Sequence, residues 1–199
     1  MATTVQKIVD RVRAQLVDEG TTKRWLDAEL IRWTSDAQRT LVSALPAAAP
    51  KNATMSLTNG AKQTIPDDGL ALITVYRNTS GAAIAPVPRE VLDSQNPSWP
   101  LTAGSSTIKV FTHDPADPTT FYVFPPASSA SVELAYSVLP PELTALSDNL
   151  SVRDNCISAI VDYVMYRAHM KDGDFAAGME TANGYLAGFT GFISAQRGG

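Results

Sequence analysis

The sequence predicts an α+β chain: a four-helix bundle assembled from the N-terminal and C-terminal segments, with an antiparallel β domain inserted between them. Three observations carry this. Apolar residues recur at a helical period up to about residue 52 and again from about 139. Between them, over 53–138, the period falls to two and Gly, Pro, Asn and Asp punctuate the chain. The stretch from Ser151 to Met170 spreads Val152, Cys156, Ala159, Ile160, Tyr163, Val164, Tyr166 and Met170 over a broad arc. An arc that broad needs cover on two sides, which makes this the central helix. The predicted domains are therefore 1–52 with 139–199, and 53–138.

The first helix is expected from about Thr3 to Asp18, opened by a capping pair of Thr3 and Gln6 and carrying a narrow stripe of Val5, Ile8, Val9, Val12 and Leu16. After the break at Glu19-Gly20, a second helix should run from Asp27 to Leu45, where Pro46 ends it. Leu30, Trp33, Ala37, Leu41, Ala44 and Leu45 share one side, Glu29, Arg32, Asp36, Arg39 and Ser43 the other, and Trp25 packs back on the first turns.

In the β region, Met55–Thr58 and Gln63–Ile65 flank Asn59-Gly60, a dipeptide suited to a tight hairpin turn. Strands follow at 70–77, 107–112, 119–124 and 131–138. A single helical turn is expected at Arg89–Ser94, and an irregular loop pinned by Trp99. Phe121 and Val123 point one way and Tyr122 and Phe124 the other, so both faces of that strand meet apolar surroundings, either in a sandwich or against another body.

Ser151 and Asp154 form the capping signature of the central helix. The last helix should run from Asp174 to Gln196, with Phe175, Met179, Ala182, Leu186, Phe189 and Ile193 as its apolar stripe. Its opposite side places Ala177, Gly184, Ala187, Gly188, Gly191 and Ala195 where Lys and Glu are usual. Each glycine costs about 0.8–1 kcal/mol of helix propensity relative to alanine, so close approach to a second body is expected to offset the loss. That body is a neighbouring copy or another part of the same chain; the remaining alternative is a frayed or kinked end.

Composition excludes several classes. The single cysteine, Cys156, rules out an internal disulfide framework and reads as a small buried hydrophobe. A net charge of −4 without a dense Lys/Arg run argues against gripping nucleic acid. No run approaches the about 20 apolar residues of a membrane span, and the start lacks a signal peptide, so a soluble protein made in the cytoplasm is expected. His113 with Asp114 and Asp117 is first of all turn chemistry, as is Asp67-Asp68-Gly69, so no metal is expected. His169 shares the polar arc with Asp162, without a nucleophile motif beside it. Gly184, Gly188 and Gly191 lack the spacing of a phosphate loop. No catalytic residue, cofactor or enzyme activity is expected. Trp99, Phe121, Tyr122 and Phe124 read as core, the alternative being an aromatic platform for a receptor or glycan.

The order of Arg24-Trp25, Glu29-Leu30, Trp33, Gly60, Gln63 to Pro66, Arg77-Asn78, Leu92-Asp93, Pro97-Ser98-Trp99, Phe121 to Pro126 and Ala135-Tyr136 resembles the head-to-tail adaptors of tailed bacteriophages, the tail-tubular-A-like connectors. The resemblance implies a virion structural protein at the head–tail junction, present as a ring of twelve copies. Its implied partners are other copies of itself, the portal protein and the tail tube or nozzle protein. Double-stranded DNA would pass through the lumen without specific binding, and no membrane is involved. The helices would form the ring wall and meet the portal, and the β region would face the tail.

Overall fold

The protein is described by a computed structural model covering residues 3–171 and 176–197, with side chains in the second stretch from 178 onward. Among the described residues there are helices α1 (Val5–Leu16), α2 (Asp27–Ala44), α3 (Arg89–Gln95), α4 (Ile157–Lys171) and α5 (Ala176–Arg197). The strands are β1 (Pro50–Ser56), β2 (Gly60–Thr64), β3 (Gly69–Asn78), β4 (Ala85–Pro86), β5 (Val110–His113), β6 (Thr120–Ala127) and β7 (Ser131–Val138). The chain is α+β and divides into two compact units, Met1–Ala49 with Leu139–Gly199, and Pro50–Val138.

In the helical unit, α1 buries Val5, Ile8, Val9 and Val12 as its stripe requires. The expected capping pair does not form. The N–H groups of Val5 and Gln6 donate to the backbone oxygens of Asp148 and Leu146, each at 2.9 Å, so strand-like cover from the returning chain replaces the side-chain cap. α1 ends at Leu16 because Val17 turns left-handed at φ 53°, which releases Asp18 to fold back on Arg13.

α2 buries Leu30, Trp33, Ala37 and Leu41, and the Glu29 carboxylate accepts the N–H of Leu26 at 3.3 Å. Three polar residues are buried beside that stripe; Thr34 Oγ1 donates to the Leu30 oxygen at 2.7 Å within the helix, and the other two bond outside it. Ser35 Oγ accepts the N–H of Leu143 at 3.1 Å, while Gln38 donates to the Pro141 oxygen at 3.1 Å and accepts the N–H of Ser151 at 3.2 Å. These bonds hold residues 141–151 as irregular chain along α2. Helix α4 accordingly starts at Ile157 after a 3-10 turn at Asp154–Cys156, not at Ser151. The N–H groups of Leu150 and Arg153 go to the oxygens of Thr3 and Ala48, which hold the stretch in place with Arg153 extended at φ −63°, ψ 149°.

α4 contacts α1, α2 and α5, and α1 and α2 also contact each other, whereas α5 packs chiefly on α4. The helical ends read off the sequence are thus three mutually packed helices with a fourth laid on the central one. Cys156 is buried, and burial pushes its thiol pKa up.

The β unit holds two sheets, β1-β7-β3 and β2-β6-β5-β4, antiparallel except for the β4–β5 pair. Leu72, Val75, Val132, Leu134 and Tyr136 from one sheet meet Phe111, Phe121 and Val123 from the other in one core. The hairpin expected around Asn59-Gly60 is not formed, because β1 pairs with β7 while β2 pairs with β6. Asn59-Gly60 instead turns the corner between sheets, with Gly60 at φ 116°. The buried amide of Gln63 holds that corner, accepting the Thr58 N–H at 2.9 Å and donating to the Thr58 and Gly60 oxygens at 2.8 and 3.0 Å. The unit begins at Pro50, a first-strand position where a missing N–H is harmless, rather than at 53.

Candidate assembly surface

The residues of α5 separate into a buried and an exposed group. Ala182, Phe189 and Ile193 are buried against α4, and the Phe189 ring meets Tyr163 edge-on at a centroid distance of 5.1 Å. Tyr185 stacks on His169 at 5.6 Å. A Cβ placed on Gly188 would stand 3.0 Å from Asp162 Oδ2, so Gly188 lets α4 and α5 approach within the chain. Gly184 and Gly191 are different: among the described residues nothing lies within 4 Å of a Cβ at either, although all three glycines are exposed along with Ala187 and Ala195. The side chains of Phe175 and Ala177 lie outside the described residues. Met179, expected in the apolar stripe, is 48% exposed near the start of the helix.

Asp162 lies half-buried under this helix, where the sequence pattern placed it on a solvated arc. Burial raises its pKa above the ordinary 3.8, against the pull of the nearby Arg11 cation. The opposite end of α5 is tied by Arg197, whose Nε donates to the Ala44 oxygen at 2.9 Å.

The far end of α1 is held by a buried ion network that the periodicity did not bring out. Arg13 pairs with Asp18 and donates to the Trp25 oxygen at 2.9 Å and to Asp27 Oδ1 at 2.6 Å. Burial alone would raise the Asp18 pKa. Bonds from the N–H groups of Arg24 and Trp25, with Arg13 and Lys23 nearby, outweigh that and lower it. The available signal was Arg13 itself, four residues after Val9 and so on the apolar side of the helix. The same holds for Ser35 and Gln38 on α2.

In the β unit, Trp99 and Phe121 are buried to within 1% and Tyr122 and Phe124 are half-buried. Trp99 takes both Tyr122 and Phe124 edge-on at 6.3 Å, its Nε1 donates to Asp93 at 2.8 Å, and the Arg89 guanidinium caps Tyr122 at 4.9 Å. The second face of β6 is therefore covered by α3 and the Trp99 turn of the same unit. These four rings form no open platform. His113 ends β5 opposite Phe121, its ring stacked on Phe111 at 6.3 Å, and Asp114 opens the turn that follows, its Oδ1 accepting the Ala116 N–H at 2.8 Å.

The described residues thus offer packing surfaces and structural polar bonds. No helix among them is long and apolar enough to cross a membrane. The family model of the SU10 adaptor protein matches residues 3–198, and the chain belongs to that family of phage structural adaptors. A search of curated proteins gave no match. Membership makes the protein a virion component of a structural rather than enzymatic family, with oligomerisation and contacts to portal and tail proteins implied.

Proposed function

We propose that the chain is a ring-forming head-to-tail connector of the tail-tubular-A-like kind, twelve copies of which join the portal to the tail tube or nozzle around the DNA channel. The observation that supports this best is the outer face of α5. Gly184 and Gly191 are exposed and uncrowded in the middle of a helix, at about 1 kcal/mol each, with no neighbour among the described residues to account for them. A neighbouring copy or the portal approaching along Ala177, Gly184, Ala187, Gly191 and Ala195 supplies the missing contact. Gly188, grouped with these by sequence, we assign to the α4–α5 seam because of Asp162. The residues of 1–52 and 139–199 act as a four-helix ring wall, and 53–138 as the tail-side body, braced from within by Trp99, Phe121, Tyr122 and Phe124. The net charge of −4 suits a lumen that lets double-stranded DNA slide.

The test is a Gly184→Leu/Gly191→Leu chain supplied to portal-bearing heads. It should fold as a monomer yet fail to build the ring that the wild-type chain is expected to show on such heads by electron microscopy. Rings of normal copy number would overturn the assignment of this face.

A further inference from the structure

The β unit is sealed along one side and open along the other. On the β3 and β4 side, the N–H groups of Leu72, Asn78 and Ile84 donate to the oxygens of Pro118, Ala82 and Tyr76 at 2.8, 2.8 and 3.0 Å, so the free edge of β3 is covered by its own chain. The other side carries β1 and β2, joined at the Leu57–Asn59 corner. β2 is interrupted by a bulge between Gly60 and Lys62 and presents a lysine, two features that blunt an edge. From Asn52 to Ser56, β1 has no proline, bulge or lysine.

The direction of the β1 backbone follows from its partner. The N–H of Leu57 goes to the Ala130 oxygen and that of Thr79 to the Ser131 oxygen, so Ala130, Val132, Leu134 and Tyr136 face β1 and Ser131 faces β3. The residues opposite the first set are Met55, Ala53 and Lys51. Asn52, Thr54 and Ser56 therefore turn their N–H and C=O groups away from β7. All three are exposed, and among the described residues no hydrogen bond takes those backbone groups. Such a row is satisfied by water in the isolated chain, and an extended backbone alongside can replace that water bond for bond. Its side chains are also constrained. Ala53 and Met55 stand half-buried at the margin of the core. Asn52 and Thr54 line a shallow cleft of about 440 Å³ with Tyr76 and the paired Arg77 and Glu133.

We propose that the β1 edge receives an extended strand, alternately apolar and polar, from a tail-side protein, which lengthens the three-stranded sheet by one strand. This rests on the ring reading. Copies in a cyclic ring meet through two different patches, whereas the open edges lie on one side of the unit only. Two copies could pair edge to edge only about a two-fold axis, which such a ring lacks between neighbours. Edge-to-edge pairing between ring neighbours is thereby excluded. The strand is assigned to a tail-side polypeptide because family membership implies a contact with tail proteins, and its apolar residues lie beside Ala53 and Met55.

Hydrogen exchange on purified virions, compared with the isolated chain, tests this directly. The amides of Asn52, Thr54 and Ser56 should exchange about tenfold or more slowly in the particle. Thr54→Pro removes one outward N–H and no bond to β7. It should leave the isolated chain folded and the ring on the head, but prevent tail attachment, while Thr54→Val behaves as wild type. Equal exchange in both states, or tails retained by Thr54→Pro, would overturn the proposal. So would a dimer of the isolated chain abolished by Thr54→Pro, which would make the partner a second copy. Absence of the chain from virions would remove the ring reading and this one with it.

Discussion

The two units cover their apolar surface differently. In the β unit, both faces of β6 are satisfied internally, Phe121 and Val123 by the opposing sheet and Tyr122 and Phe124 by Trp99. In the helical unit, α1, α2 and α4 cover one another while α5 has α4 as its main support and an outer face of small residues. A unit that closes on itself is suited to be a body carried by an assembly, with a strand edge left open. A unit that leaves one helix half-covered is suited to be completed by a neighbour. The locks differ accordingly: a tryptophan cover in one unit, a buried ion network and two buried amide and hydroxyl bridges in the other.

Removing each lock gives the largest effects and asks whether the units melt separately. Arg13→Ala leaves Asp18 buried without its partner and should cost about 3–5 kcal/mol. Trp99→Ala opens the cover of β6 and should cost a similar amount, about 3–5 kcal/mol. Denaturant unfolding followed by hydrogen exchange should assign the first loss to residues of the helical unit and the second to 50–138. A single shared transition in both variants would mean that the chain behaves as one cooperative body, and the contrast drawn above would fail.

The glycines of α5 give a smaller effect with a sign that sharpens the comparison. Gly184→Ala and Gly191→Ala should each stabilise the isolated chain by up to about 1 kcal/mol, because the new methyl meets open space. Gly188→Ala gains the same propensity but forces its methyl to 3.0 Å from Asp162 Oδ2, so it should fall below the other two. Thermal unfolding of the three isolated variants measures the order, and equal gains would show that the seam yields easily.

How much of this was legible in the sequence depended on whether a residue answers to a local period. The stripes of α1 and α2, the two apolar faces of β6 and the turn at Asp114-Pro115 follow from spacing and turn chemistry, whereas the Trp99 cover of the second face does not. Pairings across the chain do not. Asn59-Gly60 carries a hairpin signal, yet β1 and β2 find better partners in β7 and β6, so the turn becomes a corner. Ser151 is a good cap by type, but its N–H is already given to Gln38 more than a hundred residues earlier. The split of the α5 glycines rested on Asp162, whose coverage depends on how α5 lies on α4, and no period in either helix encodes that.

Asp162 also supplies the smallest and most specific test of the α4–α5 seam. Its pKa is raised by burial, so the folded chain holds the proton more tightly than the unfolded chain does. Below the ordinary value of 3.8 both states are protonated and the residue carries no penalty. As pH climbs from 3.8 toward the raised value, the unfolded chain ionises first and the fold loses stability; above the raised value the loss is complete. Asp162→Asn keeps the shape and abolishes the titration. Its advantage over wild type should therefore be full at neutral pH and vanish below 3.8, read from urea midpoints at the two pH values. If Gly188→Ala is added, the asparagine should retain its advantage at neutral pH only while α5 still covers position 162. A double variant indistinguishable from Gly188→Ala alone would mean that the added methyl lifts α5 and lets water reach the seam.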